Sequence, residues 1–316
     1  TVTGVQTCAL PISEHIFPKQ VFAAAGQLGF MGLYTPESAG GLGMGRLDSS
    51  LIVEELAAGC TVTTAFLTIH NMATSMVGRY AQPGVVDQWC PGLVSGEKLA
   101  SYCLTEPGSG SDAASLRTSA VADGDDYLVN GSKVFISGGG ESDLLVVMLR
   151  TGSPGPKGIS ALAIPADSEG IHYGKPEEKM GWNAQPTCTI TFDNVRVPKE
   201  RVFLLREWQY AQYVAYSFAA FHRFTAVTYK IPILEYMTGM GMLVAEANGI
   251  HKSSNARERF VEMIKYTETV KGLARAAIAE PENLGDSGLF VANRLNSNMA
   301  KLHFASNFHA FVQGIQ

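Results

Sequence analysis

Ser101-Tyr102-Cys103-Leu104-Thr105-Glu106-Pro107-Gly108-Ser109-Gly110-Ser111-Asp112 is the stretch on which the reading of this chain turns. It opens like a β-strand, breaks at Pro107-Gly108 and continues as a Gly/Ser loop without a bulky side chain. In such a loop several backbone N–H groups and small hydroxyls can converge on an anion, because nothing blocks close approach. Composition alone fits two readings, a phosphate cradle and an ordinary solvent loop. The neighbouring sequence has to decide between them.

On the amino-terminal side the pattern is helical. Apolar residues at 17, 21, 24, 25 and 28 mark one helical face that Gly29 can close. Gly40-Gly41-Leu42-Gly43 is a loop, and Asp48 stands where an N-cap would, before Leu51, Ile52, Val53 and Leu56, with Gly59 ending that helix. Further apolar segments run from about Thr63 to Tyr80 and from Val85 to Leu93. On the carboxyl side the pattern turns to strands. Tyr127-Leu128-Val129 and Val134-Phe135-Ile136-Ser137 flank Asn130-Gly131, which predicts a hairpin turn there. Leu144 to Leu149, Gly158 to Ile164 and Thr187 to Phe192 read as further short strands, separated by turns such as Gly152-Ser153-Pro154-Gly155.

After Pro198 helices return, over Trp208 to Lys230 and over Ile231 to Ala247, the latter closed by Asn248-Gly249. Asn255 with Glu258 reads as a capping box before Phe260, Ile264, Thr267, Val270, Ala274 and Ile278, and Pro281 stops that helix. Asn293 to Gln316 reads as a last, incomplete helical segment. The expected fold class is therefore α+β, mainly α: a helical domain over 13–100, a β-domain over 101–205 and a truncated helical bundle over 206–316. Residues 1–12 follow a non-Met start and have no basic segment before Cys8-Ala9-Leu10, so they are expected to be extraneous to the fold and not a signal peptide.

The 316 residues suggest about two or three domains. A hydrophobic content of 46% with 17% charged residues is that of a globular chain. The net charge of −5 and the absence of Lys/Arg clusters argue against a nucleic-acid partner. No apolar run reaches the roughly 18 residues of a membrane span. Cys8, Cys60, Cys90, Cys103 and Cys188 are scattered without a C-x-x-C pair, which reads as reduced, buried thiols and offers no metal set.

The order helical, β, helical, with the Ser101–Asp112 loop at the first boundary, resembles the acyl-CoA dehydrogenase family over about Ser13 to Val202. Ile69-His70-Asn71-Met72, Asn130-Gly131-Ser132-Lys133-Val134-Phe135-Ile136-Ser137-Gly138 and Gly181-Trp182-Asn183-Ala184-Gln185-Pro186-Thr187 carry the resemblance, the first and last closest to the isobutyryl-CoA dehydrogenase branch. The resemblance implies FAD as cofactor, an acyl-CoA thioester as substrate, an acceptor of the electron-transfer flavoprotein type and a homo-tetramer. The implied setting is the bacterial cytoplasm or the mitochondrial matrix. Tyr102, Leu104 and Thr105 would lie against the flavin, and Gly110 and Ser111 would approach its pyrophosphate, Ser111 also the acyl-CoA. Phe135, Ile136 and Ser137 would line the ring, Ser137 near its reactive nitrogen. Without the resemblance, Phe135 reads equally as hairpin core and Ser137 as a turn residue. The family's Glu base sits in a Glu-Gly-Thr-type motif near the carboxyl end; no such motif occurs here, so the catalytic residue is unassigned. The Arg-x-Gln-Phe-Gly and Gly-Gly-x-Gly-Tyr segments are also missing.

From about Arg201 the chain resembles instead the 4-hydroxybutyryl-CoA dehydratase and 4-hydroxyphenylacetate 3-hydroxylase family. Glu207-Trp208-Gln209-Tyr210-Ala211, Phe221-His222-Arg223-Phe224-Thr225, Ala245-Glu246-Ala247-Asn248-Gly249 and Asn298-Met299-Ala300-Lys301 carry that likeness. His222 and Lys230 match a cluster-ligating His and a nearby Lys of the dehydratase, but its ligand Cys is Tyr229 here, so no iron–sulfur cluster and no metal is expected. Positions 222, 226, 229 and 230 share one helical face. His222, Arg223 and Lys230 either line a flavin or thioester pocket or are hydrogen-bonded bundle residues. The two resemblances meet near Val197 to Phe203, which reads as the junction of a chimera, natural or made by misjoined reads. The expected function is α,β-dehydrogenation of a short acyl-CoA, branched or unbranched. The alternatives are a dehydratase/hydroxylase-like flavoprotein without a cluster and an inactive FAD- or acyl-CoA-binding remnant.

Overall fold

The computed structural model describes residues 14–207, 221–283 and 290–315. These residues gather into two compact units. One contains 14–45 and 66–207, the other 46–65 with the residues from 221 onward. Residues 1–12, expected to be extraneous, and most of the expected helix over Trp208–Lys230 lie outside the described residues; the last turns of that helix, 221–228, are helical.

In the first unit the amino-terminal helices are α1 (Lys19–Gln27), α2 (Arg46–Tyr80), of which the part from Phe66 belongs here, and α3 (Pro83–Ser95). Gly29 follows α1 at φ 81, a backbone state in which glycine meets no Cβ penalty. Asp48 does not cap a helix: α2 starts earlier, after Gly45, and places Asp48 in its first turn. Gly59 ends the first helical stretch as expected: Cys60, at φ −158 and ψ 104, is non-helical and divides α2 in two there. By length and composition α2 could cross a bilayer, although no single apolar run in the sequence predicts this. Its later half, however, buries His70 and Asn71 against tertiary partners, as a core helix does.

The strands are β1 (Ala100–Cys103), β2 (Ser119–Asp123), β3 (Asp126–Ser137), β4 (Leu144–Arg150), β5 (Ile159–Pro165), β6 (Ile171–Tyr173), β7 (Thr187–Pro198) and β8 (Val202–Phe203). They form one eight-stranded sheet in the order β6-β7-β3-β2-β4-β5-β8, with β1 parallel to β4. β4 reads Leu-Leu-Val-Val-Met-Leu because both of its faces are covered. Leu144, Val146 and Met148 pack with Val77, Trp89 and Leu93 of the helices. Leu145, Val147 and Leu149 pack with Val129, Ile190 and Phe192 of β3 and β7.

The predicted hairpin turn is displaced. Asn130-Gly131 lies inside β3, and the chain reverses at Gly124-Asp125 between β2 and β3. A register shift puts a bulge on β7 opposite Asn130: Val129 faces Val195 and Gly131 faces Phe192, so Asp193 and Asn194 stand against the one residue Asn130. The Asn130 side chain accepts from Asn194 N–H at 2.9 Å and donates to Asn194 Oδ1 at 3.1 Å, holding Asn194 at φ 53. A Cβ at Gly131 would stand 2.6 Å from Thr118 Cα, so the glycine serves close approach here, not a turn.

The second unit contains α4 (Ile231–Ala247), α5 (Ser254–Ala279) and α6 (Arg294–Gln313), with a short ladder of β9 (Glu282–Asn283) and β10 (Phe290–Val291) between α5 and α6. Its core is Val227, Ile231, Leu234, Met263, Tyr266, Val270, Ala300 and Phe311. The predicted cap of α5 moves two residues: Ser253, not Asn255, accepts from Ala256 N–H at 3.3 Å. Asn293 caps α6 by accepting from Asn296 N–H at 2.9 Å.

Candidate functional site

The Ser101–Asp112 stretch is a strand followed by a tight turn. Ser101, Tyr102 and Cys103 belong to β1, and Glu106 and Ser109 bond to each other across Pro107-Gly108, N to O at 3.0 and 3.1 Å. Ser109 Oγ donates to Asp112 O at 2.6 Å, closing the Gly/Ser loop on itself. Gly110 and Ser111 are exposed, and a Cβ at Gly110 would meet nothing within 4 Å. The loop therefore offers open backbone, as an anion cradle requires.

An ion pair the sequence reading missed anchors this loop. Lys133 Nζ bonds to Glu106 Oε1 at 2.7 Å and to Leu104 O at 3.0 Å, with both charged groups buried. Glu106 also accepts from the N–H groups of Arg117 and Thr118 at 2.6 and 2.9 Å. Burial alone would raise the Glu106 pKa, but Lys133 and the two amides outweigh it and hold the carboxyl below its usual value. Burial lowers the Lys133 pKa while Glu106 opposes that shift. A lysine at an inward-facing strand position between Val129 and Ile136 was the available signal, since such a charge needs a partner.

Opposite the loop, β3 ends in a second bulge. Lys133 faces Ile190 and Ile136 faces Cys188, so the extra residue lies on β3. Phe135 takes φ 58 there, a left-handed backbone uncommon for a bulky residue, and the residue is 64% exposed. Ile136 points into the sheet core, so only its backbone faces outward. Ser137 is half-buried, and its carbonyl accepts from Ser101 Oγ at 2.6 Å. Val134 N–H donates to Thr105 O at 2.9 Å, tying the bulge to the loop. The structure thus brings Leu104, Thr105, Phe135 and Ser137 to adjacent β1 and β3 ends, with half-buried Tyr102 next to them in β1.

Gln185 completes this corner. Its side chain is 7% exposed, and Nε2 donates to Ser137 Oγ at 2.7 Å. Lys179 Nζ holds the preceding turn by donating to the carbonyls of Trp182, at 2.9 Å, and Gln185, and to Thr187 Oγ1 at 3.1 Å. His70 and Asn71 serve elsewhere. Asn71 accepts from Leu33 N–H at 2.7 Å and donates to Phe30 O at 2.8 Å, while His70 Nδ1 accepts from Ala100 N–H at 3.0 Å. Burial lowers the His70 pKa to about 4, so the ring is neutral.

In the second unit His222, Arg223 and Lys230 gather with Lys301 of α6. Burial lowers the His222 pKa to about 4, reinforced by Lys301, Lys230 and Arg223. Lys230 Nζ stands 4.7 Å from the Phe304 ring centroid, and Arg223 Nη1 reaches Asn298 Oδ1 at 3.4 Å. Tyr229, in the place of a ligand cysteine, is buried. Among the described residues no group of His, Cys, Asp and Glu is arranged to hold a metal ion. Cys90, Cys103 and Cys188 are buried free thiols and Cys60 is half-buried; burial raises Cys90 to about 11 and Cys103 to about 12.

Residues 6–97 match the family model for the acyl-CoA dehydrogenase N-terminal domain and 101–195 the middle-domain model, whereas 211–316 match the 4-hydroxyphenylacetate 3-hydroxylase C-terminal model. The first of these matches begins inside the 1–12 segment. Mitochondrial isobutyryl-CoA dehydrogenase of Bos taurus is 52% identical over 185 residues, covering 58% of this chain and 44% of the relative. Its counterpart in Dictyostelium discoideum is 53% identical over 186 residues, 58% of this chain and 45% of the relative. The chain thus spans less than half the length of these curated relatives. A solved complex of glutaryl-CoA dehydrogenase with glutaryl-CoA superposes with a TM-score of 0.84 at 25% identity, covering 98% of this chain and 80% of that one. Together these matches make the chain, over residues 6–195, a member of the acyl-CoA dehydrogenase family, continued from residue 211 by a segment similar to the 4-hydroxyphenylacetate 3-hydroxylase C-terminal domain.

Proposed function

We propose that the first unit binds FAD and serves the α,β-dehydrogenation of a short, branched acyl-CoA. The carrying observation is the Phe135 bulge, an exposed aromatic in a left-handed backbone beside Ser137, tied through Val134 N–H to Thr105 of the Ser101–Asp112 stretch. Local strain of this kind persists where the surroundings impose it and is concentrated at ligand sites. The residues present fit the cofactor: Tyr102, Leu104, Thr105 and Phe135 offer a largely apolar wall, Gly110 and Ser111 offer backbone to a pyrophosphate, and Ser137 offers a hydroxyl to the ring. Bound FAD would supply the hydride acceptor. The chain's own residues would orient the ring, exclude water from one side of it and stabilise the charge it gains. A carboxylate base at the substrate α-carbon is needed as well, and no residue here is assigned to it. By family, an acceptor of the electron-transfer flavoprotein type would take the electrons, and a homo-tetramer would form the assembly. The named curated relatives are mitochondrial. The proposed domain scheme is 13–100, 101–205 and 206–316.

The match over 211–316 supports a second reading, a hydroxylase- or dehydratase-like flavoprotein without an iron–sulfur cluster, in which the His222, Arg223 and Lys230 cluster lines the pocket. Expression followed by a flavin spectrum and anaerobic titration with isobutyryl-CoA tests both. Bleaching of bound flavin supports dehydrogenation. Bound flavin that stays oxidised leaves an FAD-binding protein without a working base, and a colourless protein that takes up no added FAD overturns the FAD reading itself.

A further inference from the structure

Lys133 does more than neutralise Glu106. Its side chain is wholly buried, and Nζ donates to both Glu106 Oε1 at 2.7 Å and Leu104 O at 3.0 Å. Exchanging a buried ion pair for well-packed apolar residues is often neutral or stabilising, so the fold by itself gives little reason for a lysine here. The second contact gives one. The Leu104–Thr105 peptide is trans, so its carbonyl and its N–H point in opposite directions. With Leu104 O held by the buried ammonium, Thr105 N–H points away from Lys133. The next peptide is pinned as well: Thr105 O accepts from Val134 N–H at 2.9 Å, and Glu106 N–H donates to Ser109 O at 3.0 Å. Thr105 is half-buried, and its N–H has no hydrogen-bond partner among the described residues. The end of β1 thus presents a fixed donor with nothing to bond, and such a donor normally finds a partner.

We propose that Lys133 is a positioning residue for the cofactor: by holding Leu104 O it fixes Thr105 N–H as an outward donor to a carbonyl oxygen of the flavin ring. The inference rests on the FAD reading above, which sets Leu104 and Thr105 against that ring. A ring carbonyl gives up water on binding and needs a donor in its place. A donor already fixed in the free chain is not ordered at the moment of binding, so less of its bond is lost to entropy. Lys133 itself, wholly buried, need not touch the ring.

The test compares the chain with Lys133→Met and with the Glu106→Leu/Lys133→Leu double variant. The probes are FAD and the FAD analogues that carry sulfur, a weaker acceptor, in place of one or the other ring carbonyl oxygen. Affinities come from titration of the cofactor-free chains and stabilities from urea unfolding. The parent should bind one of the analogues about five- to tenfold more weakly than FAD, the range of a single hydrogen bond. Both variants should bind FAD about tenfold more weakly than the parent does, and should bind that analogue within about twofold of FAD. The double variant keeps the test decisive should Lys133→Met fold poorly, since its affinity should stay low although its stability recovers. An FAD affinity that recovers with stability, a parent that binds every analogue as tightly as FAD, or an undiminished sulfur penalty in the variants overturns the proposal while FAD binding stands. A parent chain that binds no FAD sinks the underlying reading and this one with it.

Discussion

Two carboxylates show how differently the two units treat charge. Glu106, beside the Gly/Ser loop, accepts from Lys133 and two backbone amides and is held ionised below its usual pKa. Glu54, in the helical unit, meets half-exposed Arg275 at 2.9 Å through Oε1 but leaves Oε2 buried without a partner, and burial raises its pKa despite the cations nearby. Apolar groups follow the opposite rule. The sheet sequesters Leu144 to Leu149 on both faces, whereas the bundle exposes Leu243 and Leu302 at 67% each, with Val261 and Leu295 similar. Apolar burial stabilises by about 25 cal/mol per Å², so the helical unit draws less from its composition than the sheet does. The candidate cofactor site is built beside the carboxylate whose two oxygens are both paired. There, fixed donors and acceptors can hold the Phe135 bulge and the Ser137 hydroxyl in place.

The strongest way to break this contrast is Lys133→Met. It leaves Glu106 charged and buried, and should cost about 3–5 kcal/mol of stability in urea unfolding. Replacing both partners by leucine should recover much of that loss. A single variant within 1 kcal/mol of the parent would mean that the pair does not anchor the loop.

Acid is the second probe. His70 has a folded pKa of about 4 against an ordinary 6.5, so between those values the unfolded chain binds a proton that the folded chain refuses. Stability should therefore be complete above about pH 6.5 and fall by roughly 1.4 kcal/mol per pH unit toward pH 4, about 3 kcal/mol in all. His222 should act in the same direction. The two differ in cause: burial dominates both, but Lys301, Lys230 and Arg223 add repulsion only at His222. Raising the salt from 0.05 to 0.5 M should move the His222 midpoint upward in an NMR titration more than that of His70. Equal shifts would remove the electrostatic distinction.

Glu54→Gln should have the smallest effect. Burial raises the pKa of this group, so it weakens the fold as pH rises through its ordinary value, and neutralising it relieves that penalty while giving up a pair with a half-exposed arginine. The expected change at pH 7 is within about 1 kcal/mol, neutral to stabilising. A loss as large as that of Lys133→Met would show that the two carboxylates are alike after all.

Local pattern was enough where one periodicity governed an element. The α4 bounds, the β4 run and the Gly29 stop follow from apolar spacing and glycine alone. It misled where a residue type has two uses. Asn-Gly closes hairpins but also sits inside strands, and only the nearness of Thr118 and Asn194 to β3 selects the second. Asn255 and Ser253 both suit a cap, and the path of the chain before α5 chose the serine. Within the site, Phe135 and Ser137 were legible from the motif. The supports from Glu106, Lys133, Lys179 and Gln185 were not, because they join residues 27 to 48 positions apart or read alone as ordinary loop polarity.

By itself the sequence determined the helical–β–helical order, the two family likenesses that meet near residue 200, and the Gly/Ser loop as open backbone. These are properties of short segments, set by side-chain period, turn chemistry and composition. Tertiary structure decided that Asn130-Gly131 lies inside a strand instead of ending it, that Phe135 faces outward in a left-handed backbone, and that Gln185 donates to the Ser137 hydroxyl. Each of these depends on a partner from a distant segment, and the energy of a buried polar contact exists only once both partners have left water.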